Sequence, residues 1–350
     1  MQQNPSPRVP AGRRGQRRSA AVVVAVLAVM GLVMSSCGDD SADSDSSAPE
    51  AAAKEKETFA MVTPSAITDK SFSELGYTGL TTGADAVGAE VIYQENVEVP
   101  QAVEAFRNLA SQEPVAVIGL GGQFQDAAEE VAPEFPDIQF VVINGNHAVD
   151  NVGYYSLAEG ELAYLAGLVI AATKHPAKLG QVAGIEIAPI KAQGYGLEQG
   201  AKTQESGVEF TSIFTGDMND IAKAKEATTT LFGQGAEVVY TSLNEAIAGA
   251  EQAAVESGNL LFNNQADKCE EVPGAYYGFT SSAVDLAVEQ VVKGISDGSL
   301  QPGFADSNLT NPADATEIGL CSGPVPDDVQ ALVDSAKADL ISGKVKITTP

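Results

Sequence analysis

Five side-chain amides, those of Asn144, Asn244, Asn263, Asn264 and Gln265, stand at the ends of short β-rich runs. An amide donates and accepts at once, so a set of them suits a neutral polar ligand without burying charge. Asn is also a common turn residue, and each position taken alone has that structural reading. A second feature is Gly119-Leu120-Gly121-Gly122, which follows one such run and precedes a helical pattern. Helix N-termini attract anions, but no Lys-Ser/Thr follows these glycines and no full dinucleotide fingerprint is present. Gly121 and Gly122 are therefore read as a close backbone approach to a ligand, or as a tight strand–helix turn. Tyr195 offers a ring face beside a later helix, with packing on that helix as its alternative. Asp69 and Ser71 precede the first helix, where they read either as ligand contacts or as helix caps.

Catalytic chemistry finds little support. The sequence is read as having no Gly-x-Ser-x-Gly elbow, no cysteine is placed as a nucleophile, and neither His147 nor His175 has an evident partner. The histidines also lack a cysteine or carboxylate at metal-ligand spacing, so neither a metal nor a cofactor is expected. Carboxylate pairs abound, but 47 acidic residues make coincidental pairs inevitable. The formal charge of −27 repels phosphate backbones, which excludes nucleic acid and disfavours a highly charged anionic solute.

The ends carry an address. Residues 1–36 read as an export signal: Arg8, Arg13, Arg14, Arg17 and Arg18 form a basic head, and the uncharged run 20–33 follows. About 20 apolar residues are needed to span a bilayer, so this run suits a cleaved signal rather than a permanent anchor. Ser35-Ser36-Cys37 closes it, an arrangement that resembles the bacterial lipobox, in which the cysteine is acylated. Lipidation at Cys37 is expected, and several acyl chains hold a protein at the membrane at about 0.8 kcal/mol per buried CH2. Residues 37–57, rich in Ser, Asp, Ala and Glu, read as a flexible acidic linker. With Cys37 acylated, Cys269 and Cys321 remain as an even pair that either closes a disulfide in an oxidising compartment or stays as two separate thiols.

The elements that position these residues alternate. Strands are expected at 58–63, 90–94, 115–119 and 139–144, with Val99, Val103, Phe106 and Ala110 marking one intervening helix face and Phe124, Ala127, Val131 and Phe135 another. The run 162–172 is apolar nearly all round and reads as a buried junction helix. A second series follows, with strands near 179–183, 210–214, 238–242, 260–263 and 276–280 and helices at about 191–205, 220–234, 245–257 and 282–296. A strand near 317–320 and a helix from 327 to about 342 close the chain. The expected fold class is α/β: two doubly wound, Rossmann-like parallel-sheet lobes joined by a hinge, with the site outside the carboxyl ends of the strands. Lobe 1 is assigned to 58–152 plus about 264–298, and lobe 2 to 153–263 plus about 299–350.

Several segments, in order, resemble the basic membrane protein family, lipoproteins serving ABC importers, several of which bind purine nucleosides. They are Asp69-Lys70-Ser71-Phe72, the glycine loop at 119–127, Glu134-Phe135-Pro136-Asp137, Glu161-Leu162-Ala163-Tyr164-Leu165-Ala166-Gly167, and in the second half Gly200-Ala201-Lys202, Thr215-Gly216-Asp217 and Gly235-Ala236-Glu237-Val238. The resemblance implies the type I periplasmic-binding fold, with Phe72 stacking on a ligand ring. It also implies ligand contact at the end of the first strand, where Thr63 stands in place of the family's usual Asp. Asn263-Asn264-Gln265 replaces a more acidic stretch, and a Lys usual after the pair Thr280-Ser281 is missing. The function so implied is a lipid-anchored, extracytoplasmic, monomeric receptor that captures a small nucleoside-like ligand for an ABC permease and performs no catalysis. A surface sensor or adhesin using the same clamp is the alternative, and a nucleoside-processing enzyme a more distant one.

Overall fold

The computed structural model describes residues 56–307 and 317–347, so the signal, Cys37 and most of the linker lie outside the described residues. Two six-stranded sheets organise the chain. The first contains β1 (Thr58–Val62), β2 (Glu90–Gln94), β3 (Ala116–Leu120), β4 (Gln139–Ile143), β5 (Val152–Ser156) and, far along the chain, β11 (Ala305–Ser307). The second contains β6 (Lys178–Ala183), β7 (Glu209–Phe214), β8 (Val238–Ser242), β9 (Leu260–Asn263), β10 (Tyr276–Ser281) and β12 (Glu317–Leu320). Every pairing is parallel except that of β12 with β10. The strand orders, β2-β1-β3-β4-β5-β11 and β7-β6-β8-β9-β10-β12, have the same form. Such a sheet reverses direction beside its first strand and opens a crevice there, beyond the strands' carboxyl ends. The fold is thus the two-lobed α/β arrangement of type I periplasmic solute-binding proteins.

Central strands read as apolar runs because helices cover both faces. Strand β3, Ala-Val-Ile-Gly-Leu, is buried at every position. On one face of the first sheet lie α2 (Ala102–Ala110) and α3 (Gln125–Val131), and on the other α1 (Phe72–Val87) packs beside α8 (Val284–Ser296). The inward stripe of α2 is Ala102, Ala105, Phe106, Leu109 and Ala110. Val99 is exposed instead, because it opens the 3-10 turn ahead of α2 and lies off the helical period. In the second lobe α6 (Ile221–Gly233) and α7 (Ile247–Ser257) cover one face, while α4 (Glu159–Lys174) and α5 (Ala188–Lys202) cover the other. Helix α4 is buried almost all round because α9 (Asp327–Ile341) packs on its remaining side. It also approaches α5 closely: a Cβ on Gly167 would sit 2.1 Å from the carbonyl oxygen of Leu197, and one on Gly200 1.9 Å from that of Tyr164.

Sheet membership places the crossings between lobes later in the chain than the expected boundaries. β5 pairs with β4, so the first crossing is at Leu157 and Ala158 rather than at 152. β9 and β10 both belong to the second sheet, which moves the second crossing from about 264 to Ser282 and Ala283. β11 returns to the first sheet, so the third crossing follows Ser307 and not 298. The physical reason is common to all three: a strand that leads out of a sheet pairs along its full length before the chain leaves. Cys269 and Cys321 form a disulfide with Cα atoms 5.2 Å apart, tying the β9–β10 loop to the end of β12.

Candidate ligand-binding cleft

Strand exits of both sheets converge on one cleft with an empty volume of about 440 Å³. Lobe 1 contributes Pro64 after β1, Phe72 of α1, Gly121 to Gln123 after β3, and Asn144 after β4. Lobe 2 contributes Ile185 and Ile187 after β6, Ser242 and Asn244 at the end of β8, and Asn264 and Gln265 after β9. Ile190 and Gln193 of α5, Met218, and Glu159 at the start of α4 complete the lining.

Seven of the residues singled out from sequence meet here: Phe72, Gly121, Gly122, Asn144, Asn244, Asn264 and Gln265. Gly121 has φ +123, outside the comfortable range of L side chains, and this lets the chain turn directly from β3 toward the cleft. Asn144 takes the left-handed conformation that asparagine tolerates, and its Oδ1 accepts from the Leu157 N–H at the first crossing.

The other five lie elsewhere. Thr63 is fully buried and donates through Oγ1 to the carbonyl of Ser65, so its hydroxyl shapes the turn after β1 while Pro64 faces the cleft. Asp69 caps α1, its carboxylate accepting from the backbone N–H groups of Ser71, Ser73 and Glu74. Ser71 leaves that task to Asp69 and donates instead to Gln265 Oε1 at 2.6 Å, across the lobe boundary. Asn263 accepts from Thr241 and donates to the carbonyl of Ala266, which fixes the β9 exit. Asp69, Ser71 and Asn263 line a neighbouring recess between α1 and α7. Tyr195 is half-buried on α5, two positions from Gln193; at 100° per residue that turns it about 200° away from the cleft.

The lobes touch through polar contacts beside the cleft. The Ser65 hydroxyl of lobe 1 accepts from Asn244 Nδ2 at 3.1 Å and donates to Asn219 Oδ1 at 3.2 Å, both in lobe 2. Together with the Ser71–Gln265 bond, these hold the two halves against each other on one side.

Sequence reasoning passed over Glu159 and Gln193. Glu159 is buried and borders the cleft, with hydrogen bonds from Asn144 and Gln193. Burial pushes its carboxyl above the usual carboxylate range, and the two amide donors oppose that rise. Gln193 in turn accepts from Ser242, which is held by Gln181 at 3.0 Å, and Gln181 accepts from Ser212 at 2.6 Å. A polar chain therefore runs from the cleft through the apolar interior of lobe 2. The available signal was the pair Glu159 and Glu161 in the first turn of a helix whose next ten residues are largely apolar.

Among the described residues that line the cleft there is no Lys, Arg or His, and Glu159 is the one acidic group. Among the described residues no group of three or more His, Cys, Asp or Glu could hold a metal ion. Against the reading that the chain has no Gly-x-Ser-x-Gly, Gly294-Ile295-Ser296-Asp297-Gly298 has that spelling, but it stands at the end of α8 and not between a strand and a helix, and Ser296 donates to Glu57. Amides and apolar side chains make up most of the lining.

Known proteins share this architecture. A solute-binding protein of an ABC transporter system from Aeropyrum pernix K1 matches with a TM-score of 0.72 at 21% identity, over 84% of this chain and 94% of that one. The ABC transporter nucleoside-binding protein BmpA of Lactococcus lactis is 25% identical over 308 residues, 80% of this chain and 86% of the relative. The transcriptional activator protein med of Bacillus subtilis is 23% identical over 277 residues, 78% of this chain and 85% of the relative. The model of the Bmp family, described as ABC transporter substrate-binding protein PnrA-like, matches residues 56–300, and the chain belongs to that family.

Proposed function

We propose that this chain is a lipid-anchored extracytoplasmic receptor, tethered through Cys37, that captures a neutral nucleoside-like solute and delivers it to an ABC permease. The observation that carries the reading is the lining of the cleft: amides from both lobes, a ring face at Phe72, apolar walls at Ile185, Ile187 and Met218, and no cation. Apolar faces suit a flat heterocycle, stacking contributes about 1–3 kcal/mol per base, and amides match its mixed donors and acceptors. The absent cation disfavours phosphorylated ligands. The relative named as nucleoside-binding supports the same class.

Thermal melting of the folded chain with ribonucleosides, nucleobases, free sugars and amino acids tests the ligand. A ligand at 100 times its Kd stabilises by about 2.7 kcal/mol, well within detection. Ribonucleosides are expected to raise Tm and free sugars to leave it unchanged; stabilisation by sugars alone, or by none of these, overturns the reading. Acyl labelling of the full chain tests the anchor, with label expected on the native protein and lost in Cys37→Ala. The relative named as a transcriptional activator favours a second reading, in which the loaded clamp serves regulation rather than uptake. Ligand uptake by cells that lack this chain separates the two, since only the transport reading predicts a defect.

A further inference from the structure

Glu159 occupies an unusual place for a carboxylate. It is the first residue of α4, directly after the first crossing between lobes, and it is held by an amide from each side: Asn144 of lobe 1 and Gln193 of lobe 2. Both amides are committed elsewhere as well, Asn144 through Oδ1 to the Leu157 N–H and Gln193 through Oε1 to the Ser242 hydroxyl. A carboxylate offers about four lone-pair positions, and two donors leave it unsaturated. The group borders the cleft, and no Lys, Arg or His of the lining neutralises it. A buried carboxylate without a counter-charge is costly unless hydrogen-bonded, so the ligand is the natural source of the missing donors.

Those donors belong to a neutral group. A cationic ligand would call for aromatic faces or further carboxylates, and the lining has Phe72 alone of the first kind and Glu159 alone of the second. Two adjacent hydroxyls match a carboxylate's paired oxygens and carry no charge. We infer that Glu159 is the specificity-determining acceptor of the cleft, taking hydrogen bonds from vicinal hydroxyls of the ligand while bridging Asn144 and Gln193 of the two lobes. This rests on the nucleoside reading above and deepens it: the receptor selects ribosides over deoxyribosides and over free bases.

Calorimetric titration of the folded chain with a ribonucleoside and its 2′,3′-dideoxy counterpart, on the native protein and on Glu159→Gln, tests the assignment. The native protein is expected to bind the dideoxy compound at least tenfold more weakly. Glu159→Gln should bring the riboside-to-dideoxy affinity ratio to within threefold of one, whatever common loss both ligands share. A residue that only holds the hinge would weaken both ligands alike, and that outcome overturns the proposal. Binding of nucleosides without discrimination by the native protein overturns it while leaving the nucleoside reading intact; silence toward every nucleoside overturns both. If Glu159→Gln loses its native melting transition, the native protein's discrimination decides together with Glu159→Asp, which keeps the acceptor and should keep part of the preference.

Discussion

Replacing Ser65 by Ala removes one hydroxyl and with it two contacts between the lobes. Its oxygen accepts from Asn244 at 3.1 Å and donates to Asn219 at 3.2 Å, and both partners belong to lobe 2. A typical intramolecular hydrogen bond contributes about 0.5–1.5 kcal/mol net, so the pair contributes about 1–3 kcal/mol. Separation of the lobes would let water satisfy all three residues, so nearly all of that energy falls on the equilibrium between closed and open forms. Where the open form dominates without ligand, apparent affinity falls by the same factor, roughly 5- to 150-fold. Titration of a bound nucleoside against the native chain, Ser65→Ala, Asn244→Ala and the double variant reads this out. A coupling energy of about 0.5–1.5 kcal/mol between positions 65 and 244 is expected, with Tm of the ligand-free protein shifted by no more than a few degrees. Additive losses with zero coupling, or a loss appearing only in Tm, would refute the view of Ser65 as a latch.

Cys269 and Cys321 are 52 residues apart, and the chain-entropy relation gives about 4 kcal/mol for closing such a loop. At roughly 2 °C per kcal/mol for a chain of this size, Cys321→Ser should lower Tm by about 5–10 °C; an unchanged Tm would show that reduction leaves the β9–β10 loop as constrained as before. The pH dependence of Glu159 has a definite sign. Its native carboxyl is raised above the unfolded value, so the native state keeps the proton longer and stability falls as pH climbs from about 4.3, the ordinary value, through the raised native one. Urea unfolding across that window should give a slope in the native protein that Glu159→Gln flattens; parallel profiles would contradict the burial argument.

The strands and helices were largely legible because each lobe repeats a strand–helix unit with a buried strand and an amphipathic helix. Strand β3 and helix α4 announce themselves by their unbroken apolar runs. Strands β5 and β11 did not. β5 reads Val-Gly-Tyr-Tyr-Ser, with a glycine and a serine in five residues, and β11 reads Ala-Asp-Ser. Both sit toward the outer edge of the first sheet, where burial demands less of the sequence, and missing them displaced the first and third lobe boundaries; the second moved because β10, expected as a strand, pairs in the second sheet. The amides at strand exits were legible for a related reason: chain order alone puts strand ends in the crevice. Thr63 serves the turn after β1, and Asp69 takes the helix-cap reading that the sequence also offered it, because a polar residue beside a cleft serves a turn or a cap as readily as a ligand. Glu159 escaped notice because its setting depends on Asn144 and Gln193, distant in sequence and adjacent only after folding.

The two completed crossings are built alike, and this bears on how the clamp moves. Strand β5 leaves through Ser156-Leu157-Ala158 and β10 through Ser281-Ser282-Ala283. In each, the alanine takes a left-handed conformation, φ 53 at Ala158 and φ 43 at Ala283, and its N–H donates to the serine hydroxyl two residues before it, at 3.2 and 3.3 Å. An L residue with a Cβ pays about 1–2 kcal/mol to sit there, and a helix begins directly after each. The strain is therefore confined to one residue at each crossing, between a paired strand and a hydrogen-bonded helix, neither of which bends readily. A rotation of one lobe against the other is for that reason expected to turn at Ala158 and Ala283. Glu159 follows the first of these pivots without an intervening residue, so any turn at Ala158 moves the carboxylate relative to Asn144 on lobe 1 and couples closure to the group that faces the ligand.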